Sequence, residues 1–287
     1  MQHTERMKWQ KTDADFLQTL DFVAFDTETT GLWAPANRIV ELGAVKFRLG
    51  EYACNRFQAL VNPERPIPAE TAAIHGITNS MVQNADTVAP VLEEFMDFCG
   101  PDAIMVAHNA MFDIFFIGCE LDRTGLPLPE NIIVDTVDIF RRFCPGLDSY
   151  SLLSLARQFH ISKTQNHRAA DDAALVWRLF LHASEEFPYV SNLKAFRRLF
   201  TTYAMAQWQG ETRELPSEYA DIRVAIDEKR RLEISYQRDS QLAQTRVIRP
   251  SQVHWHKSNF YVSAYCELTE SERTFRLDRI KEFKLIR

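Results

Sequence analysis

The sequence predicts an α/β layered domain with a small β-barrel behind it, and three observations carry that expectation. Up to about residue 186, apolar strand-like runs alternate with segments of helical periodicity in the order strand, strand, strand, helix, strand, helix, strand, helix. After a linker at 210–216 only short, closely spaced strand-like runs follow, led by a helix. The charge divides the same way: residues 221–287 carry 14 Lys and Arg against 10 Asp and Glu, whereas the rest carries 19 against 29. The expected boundaries are a leader at 1–20, a first domain at 21–186, a helical bridge and linker at 187–217 and a second domain at 218–287.

The composition agrees with two unequal domains, since 287 residues, 46% of them hydrophobic, exceed what one small core needs. Cys54, Cys99, Cys119, Cys144 and Cys266 are scattered and odd in number, without a CxxC pair. Neither a zinc site nor a disulfide framework is indicated, and a reducing compartment fits. No apolar run approaches a membrane span and the first eleven residues are polar, so the expectation is a cytoplasmic protein without a membrane partner.

Taken in order, residues 1–20 form a polar leader ending in a short helix around 14–20. An apolar run from Phe22 then presents Asp26 and Glu28 and breaks at Gly31; two apart on a strand, both carboxylates leave on one face. Residues 39–47 and 55–61 are strand-like and complete an antiparallel meander. The stretch 62–68 is punctuated by Pro63, Pro66 and Pro68 and reads as a loop leading to His75-Gly76-Ile77, where a loop histidine suits a substrate contact or a structural role.

Residues 90–98 are helical, 103–107 a short strand ended by His108-Asn109, and 110–117 the start of an apolar helix. Asp113 falls in its first turn, where the helix dipole also favours an acid. A further strand, 132–136, ends in Asp135 and leads to a basic helix with Arg141 and Arg142; 150–159 is an amphipathic helix. His167 then sits on a loop and Asp172 on the long helix behind it. The aromatic and basic stretch 187–209 is predicted as a helix and a half between the domains, a surface that suits burial against them or against a second copy in a homodimer. Four strand-like runs follow, at 233–237, 245–249, 260–265 and 274–280.

If Asp26, Glu28, Asp113 and Asp172 meet, they supply four hard oxygen donors, a set that selects Mg²⁺ or Mn²⁺ over zinc. Two such ions about 4 Å apart clamp the attacking and leaving oxygens of an in-line phosphoryl displacement. A histidine, the side chain that titrates near neutrality, suits the proton of the attacking water, and His167 is the candidate. For any one acid pair the alternative is a solvated loop start with an Asp capping the next element.

Asp26-Thr27-Glu28, His108-Asn109-Ala110-Met111-Phe112-Asp113 and His167-Arg168-Ala169-Ala170-Asp171-Asp172 resemble, in order and spacing, the three motifs of the DEDDh family of 3′–5′ exonucleases. The resemblance implies a ribonuclease-H-like fold with a mixed sheet, two metal ions bound by Asp26, Glu28, Asp113 and Asp172, and His167 as general base. It implies that Thr27, Thr29, Leu32, His75, Asn109 and Phe112 contact the terminal nucleotides, and that Asp171 faces solvent.

Arg249-Pro250, Phe260-Tyr261-Val262-Ser263-Ala264-Tyr265-Cys266 and residues 273–280 resemble a WYL domain, a small Sm/SH3-like β-barrel, with Phe260-Tyr261-Val262 where the family has Trp-Tyr-Leu. That resemblance implies a nucleotide or single-strand ligand, with Tyr236, Arg249, Arg276 and Arg279 as candidates; alternation of Arg and aromatic residues also marks the two faces of a barrel wall. The combined expectation is a metal-dependent 3′–5′ exonuclease acting on nucleic acid, single-stranded DNA before RNA, with the WYL module holding nucleic acid or nucleotide. The alternative is a regulatory sensor in which the exonuclease fold binds but does not cut.

Overall fold

The computed structural model describes residues 15–51, 54–209, 215–237, 242–256, 259–269 and 271–286. The first apolar run forms β1 (Phe22–Thr29), whose residues Phe22 to Phe25 are wholly buried. A strand covered on both faces carries continuous rather than alternating hydrophobicity, as this one does. β2 (Ile39–Phe47) and β3 (Cys54–Leu60) extend it as the expected antiparallel meander. After α1 (Ala69–His75), α2 (Asn79–Val82) and α3 (Val88–Cys99) the chain returns as β4 (Ile104–Ala107), parallel to β1. Then follow α4 (Met111–Thr124), β5 (Ile133–Asp135), α5 (Thr136–Phe143), α6 (Leu152–Gln158) and α7 (Ala169–Ser184), with β5 parallel to β4.

The sheet is covered on both faces by helices. Val23 and Phe25 pack with Leu92, Phe95, Ile114 and Ile117 of α3 and α4, whereas Phe22 and Ala24 pack with Phe140, Leu155, Val176 and Phe180 of α5, α6 and α7. The parity of β1 therefore assigns its even-numbered side chains to the α7 face and its odd-numbered ones to the α4 face.

Two local expectations change. The leader helix is a 3-10 turn, Phe16–Thr19, capped by the Asp15 carboxylate; the residues before Asp15 lie outside the described part. His75 is on no loop: it ends α1, buried to 3% exposure, because Gly76 at φ 72 supplies the left-handed residue that stops the helix one position later.

The segment 187–209, expected as a bridge, completes the first core instead. After α8 (Leu193–Leu199), β6 (Thr202–Tyr203) pairs antiparallel with β5, giving the six-stranded order β3-β2-β1-β4-β5-β6. Phe196, Phe200 and Met205 are buried, and Trp208 lies so close to α4 that a Cβ on Gly118 would stand 2.1 Å from its Cγ. The aromatic spacing reports burial, and for Phe196, Phe200 and Met205 the partner is the chain's own core, whereas Tyr189 and Leu193 of the same segment stay exposed. A chain ending at residue 186 should consequently lose about 1.5–3 kcal/mol for each of the three buried side chains, a large part of a domain's usual 5–15 kcal/mol. We expect that truncation to be insoluble or to melt far below a chain ending at Gln209, as circular dichroism would read.

Beyond this lies α9 (Ala220–Asp227) and a five-stranded antiparallel sheet of β7 (Arg231–Tyr236), β8 (Gln244–His256), β9 (Asn259–Cys266), β10 (Ser271–Arg276) and β11 (Ile280–Ile286), ordered β10-β9-β8-β7-β11. Ile222 and Ala225 of α9 close its core over Leu232, Ile234, Ile248, Val262 and Phe275. Among the described residues no pairing joins β10 to β11, so they show the five strands of the expected barrel without its closure. The run 274–280, expected as one strand, breaks at a 3-10 turn, Leu277–Arg279, before β11 pairs with β7. Among the described residues no helix is long and apolar enough to cross a membrane.

Candidate active site

The sheet sets the site. At the carboxyl end of β1, where its neighbours β2 and β4 run in opposite directions, Asp26 and Glu28 project on the α7 face. There they meet Asp172 from the first turn of α7, and one carboxylate oxygen of each lies within 4.8 Å of the others. A magnesium ion with oxygens at about 2.1 Å spans about 4.2 Å between opposite ligands, so the group is close to the size of a coordination shell. Asp113 comes from the opposite layer, on α4, and stands outside that tight group. Thr27, on the odd face of β1, holds it by donating to its Oδ1 at 2.7 Å.

The acids share one electrostatic problem. Burial pushes Asp26 well above the ordinary carboxylate range, with Asp113, Asp172 and Glu28 adding to the rise. Burial likewise raises Glu28 to about 8, Asp113 to about 7 and Asp172 above its usual value. In the folded protein these carboxyls keep protons that the unfolded chain releases near pH 4, so their contribution to stability is full below that range and is lost as pH rises through the folded values, about 7 for Asp113 and about 8 for Glu28. With a chelator present we expect the melting temperature to fall between pH 5 and pH 8.5, and Mg²⁺ or Mn²⁺ at pH 8 to restore it. A flat profile would show that the acids do not share this burden.

The donor set fits a divalent cation. It is all oxygen, it is partly buried, and Asp172 Oδ1 is a buried acceptor without a hydrogen-bond partner. The other oxygen, Oδ2, accepts from Gln165 Nε2 at 2.6 Å and lies 4.0 Å from His167 Nδ1. His167 is itself nearly half exposed and takes a left-handed backbone, φ 51. Asp171 is exposed, as expected, and pairs with Asn166.

One functional residue escaped the sequence reading. Glu41 is fully buried on β2, directly across from Glu28, and its carboxylate receives Arg168 Nε at 3.0 Å, the Ala169 backbone N–H at 2.9 Å and Gln58 Nε2 at 2.8 Å. It pins the start of α7, and so His167 and Asp172, to the sheet. Gly43, two residues on, lets α7 approach: a Cβ there would stand 2.2 Å from Ala170 N. The signal was an acid and a glycine inside an otherwise apolar strand. Replacing Glu41 with Ala leaves Arg168 partly buried without its partner, and we expect a loss of about 3 kcal/mol in a urea melt together with reduced activity.

The other expected contacts divide. Thr27 is committed to Asp113, and the Thr29 hydroxyl donates to Gly31 O at 2.7 Å, so both shape the site's walls. Leu32 stands 84% exposed on the loop after β1, which Arg123 fastens by donating to Ala34 O at 2.8 Å and Pro35 O at 2.6 Å. His75 lies against the Thr29 backbone, with burial holding its imidazole below the usual range. Asn109 lines a cleft of about 660 Å³ that opens at Asp26, and Phe112 packs on Phe116. Asp135, the other strand-end acid, caps α5 and accepts from the Asn109 and Ala110 N–H groups, apart from the cluster.

In the second sheet the four candidates do not form one surface patch with open hands. Arg276 is held by Asp278 through two bonds at 2.6 and 2.7 Å, and Tyr236 reaches the Arg276 N–H at 3.4 Å while its ring meets Phe275 edge-on. Arg279 neighbours them through its carbonyl, which accepts from Gln237. Arg249 lies elsewhere, on β8 opposite Tyr265 of β9, and is paired with Glu267 at 2.9 Å.

Comparison with known proteins follows this division. A family model described as an exonuclease matches residues 23–180, and one described as a WYL domain matches 218–285. DNA polymerase III PolC-type from Listeria monocytogenes is 39% identical over 173 residues, 59% of this chain but 12% of the relative. The PolC-type polymerase of Oceanobacillus iheyensis is 41% identical over 162 residues, 55% of this chain and 11% of its own length. The chain thus spans about an eighth of the polymerases it matches. Among solved structures, the nuclease domain of 3′hExo, a DEDDh family member bound to rAMP, superposes with a TM-score of 0.53 at 18% identity, covering 63% of this chain and all of that domain. Cell-death related nuclease 4 superposes with a TM-score of 0.51 at 15% identity over 67% of this chain and 82% of its own. At such identities the likeness is one of fold.

Proposed function

Because the chain belongs to the exonuclease family, with a WYL domain behind the nuclease fold, we propose that it removes nucleoside monophosphates one at a time from the 3′ ends of nucleic acid, single-stranded DNA by preference. The observation that carries this is the meeting of Asp26, Glu28 and Asp172, from a strand and a distant helix, around a buried carboxylate oxygen that has no protein partner. In this reading Asp26, Glu28, Asp113 and Asp172 hold two divalent ions, Mg²⁺ or Mn²⁺. When bound, such ions stabilise charge on the phosphoryl oxygens and acidify the attacking water.

The chain's own groups do the rest. His167 takes the proton of the water, from an exposed loop position 4.0 Å from Asp172 Oδ2. Glu41 and Arg168 keep those two residues in register with β1. Leu32, 84% exposed on a loop fastened to α4, presses on the terminal base in this reading.

The second domain supplies what the acidic first one lacks. A polyanion is repelled by the cluster, and a basic accessory surface offsets that. The pairs of Arg276 with Asp278 and of Arg249 with Glu267 are open to solvent and so only weakly held, and a phosphate can displace the carboxylates from forks already suited to it. Binding to single strands by the full chain should weaken more steeply with salt than binding by a chain ending at Gln209. Equal slopes would remove the tethering role.

The reaction is tested with one oligonucleotide carrying its label at either end. With Mn²⁺, a 3′ label should appear at once as mononucleotide and a 5′ label as a descending ladder, and a chelator should stop both. A shift in mobility without degradation would favour the sensor reading instead.

A further inference from the structure

We propose that Arg141, propped on Tyr150, forms a phosphate subsite for the nucleic-acid strand upstream of the bond being cut. This rests on the exonuclease reading and extends it along the strand. The cleft that opens at Asp26 continues past His108 and Asn109 to Arg141, Tyr150 and Gln165. Among the described residues that line it, only Arg141 carries a permanent positive charge, and Asp148 is the only acid besides Asp26. A strand whose end lies over the acids must thread this cleft, and that is where a cation lowers the cost of bringing further phosphates near the cluster.

The site is built rather than incidental. The Arg141 guanidinium lies 5.6 Å over the Tyr150 ring. That ring is fixed in turn: its hydroxyl donates to Cys144 O at 3.1 Å and accepts from the Leu147 N–H at 3.4 Å. The other wall is tied down by His108, which bonds Thr136 Oγ1 at 2.8 Å and reaches the Tyr150 backbone. An arginine in the last turn of α5 is also favoured by the helix dipole, but that alone would not stack it on a fixed ring. Asp138, one turn earlier and the obvious internal acceptor, instead accepts from the Tyr203 hydroxyl at 2.6 Å. Arg142 turns the other way, over Phe143, and is the natural control. A guanidinium already held in place loses little freedom when it grips a phosphate, so its contribution to binding is large.

The test uses the full chain with Asp26→Asn, which binds without turning over, and fluorescence anisotropy of a labelled single-stranded 12-mer. Adding Arg141→Ala should raise its Kd at least about tenfold, the share of a charge-assisted bond, and make the salt slope shallower by about 0.7. Arg142→Ala should do neither. Thymidine monophosphate, which ends before the subsite, should bind with and without Arg141 alike. In the cutting chain the loss should fall on KM. An unchanged Kd for the 12-mer, or an equal loss for the mononucleotide, would overturn the subsite. Failure of the exonuclease reading looks different: the unaltered chain with Mn²⁺ would leave the 12-mer whole.

Discussion

Asp172→Asn should reduce nuclease activity to background while raising the melting temperature of the chelated protein at pH 8. The two effects have one cause. Asp172 is 3% exposed and crowded by acids, so in the absence of a cation its charge is a burden to the fold. The amide keeps the shape and can still accept from Gln165, which now donates to a neutral oxygen. For a domain of this size each kcal/mol recovered is worth about 2–4 °C. What is lost is a charged ligand at the oxygen that has no protein partner. Asp26→Asn should behave alike. Near-normal rates in either variant would show that the cluster does not carry the reaction, and a lower melting temperature would show that it is held together by something other than the relief of repulsion.

His167→Asn should slow turnover by about 10²–10⁴-fold, the usual share of a general base. Asparagine is the informative choice because His167 occupies a left-handed backbone at φ 51, which Asn tolerates and most residues do not. The loop is then preserved and the imidazole alone is gone. Affinity for a single strand should be kept, since the side chain lies outside the tight acid group and faces solvent. A variant that cuts at the normal rate would leave the water's proton to another acceptor.

The elements of the first domain were legible because a doubly covered strand must be apolar throughout and a helix must repeat its apolar stripe. Asp26 and Glu28 could be placed on one face from spacing alone. That Asp113 enters from the opposite layer could not, because parity along a strand says nothing of which helix covers which side. Glu41 read as part of an ordinary strand, since its partner Arg168 is 127 residues away and only folding brings them together. The stretch 187–209 announced burial through Phe196 and Phe200 without saying against what. In the second domain β11 was missed because Leu277, Asp278 and Arg279 turn the chain without a glycine or proline to mark it.

Residues 202–208 bear on how such a protein arises and is taken apart. The nuclease unit adds its last strand and seats Trp208 on Gly118 before the polypeptide departs toward the second sheet. The junction at Gln209 is therefore a natural seam for recombination: a gene fusion made there grafts a different partner onto a finished enzyme, whereas one made twenty residues earlier inherits an open wound.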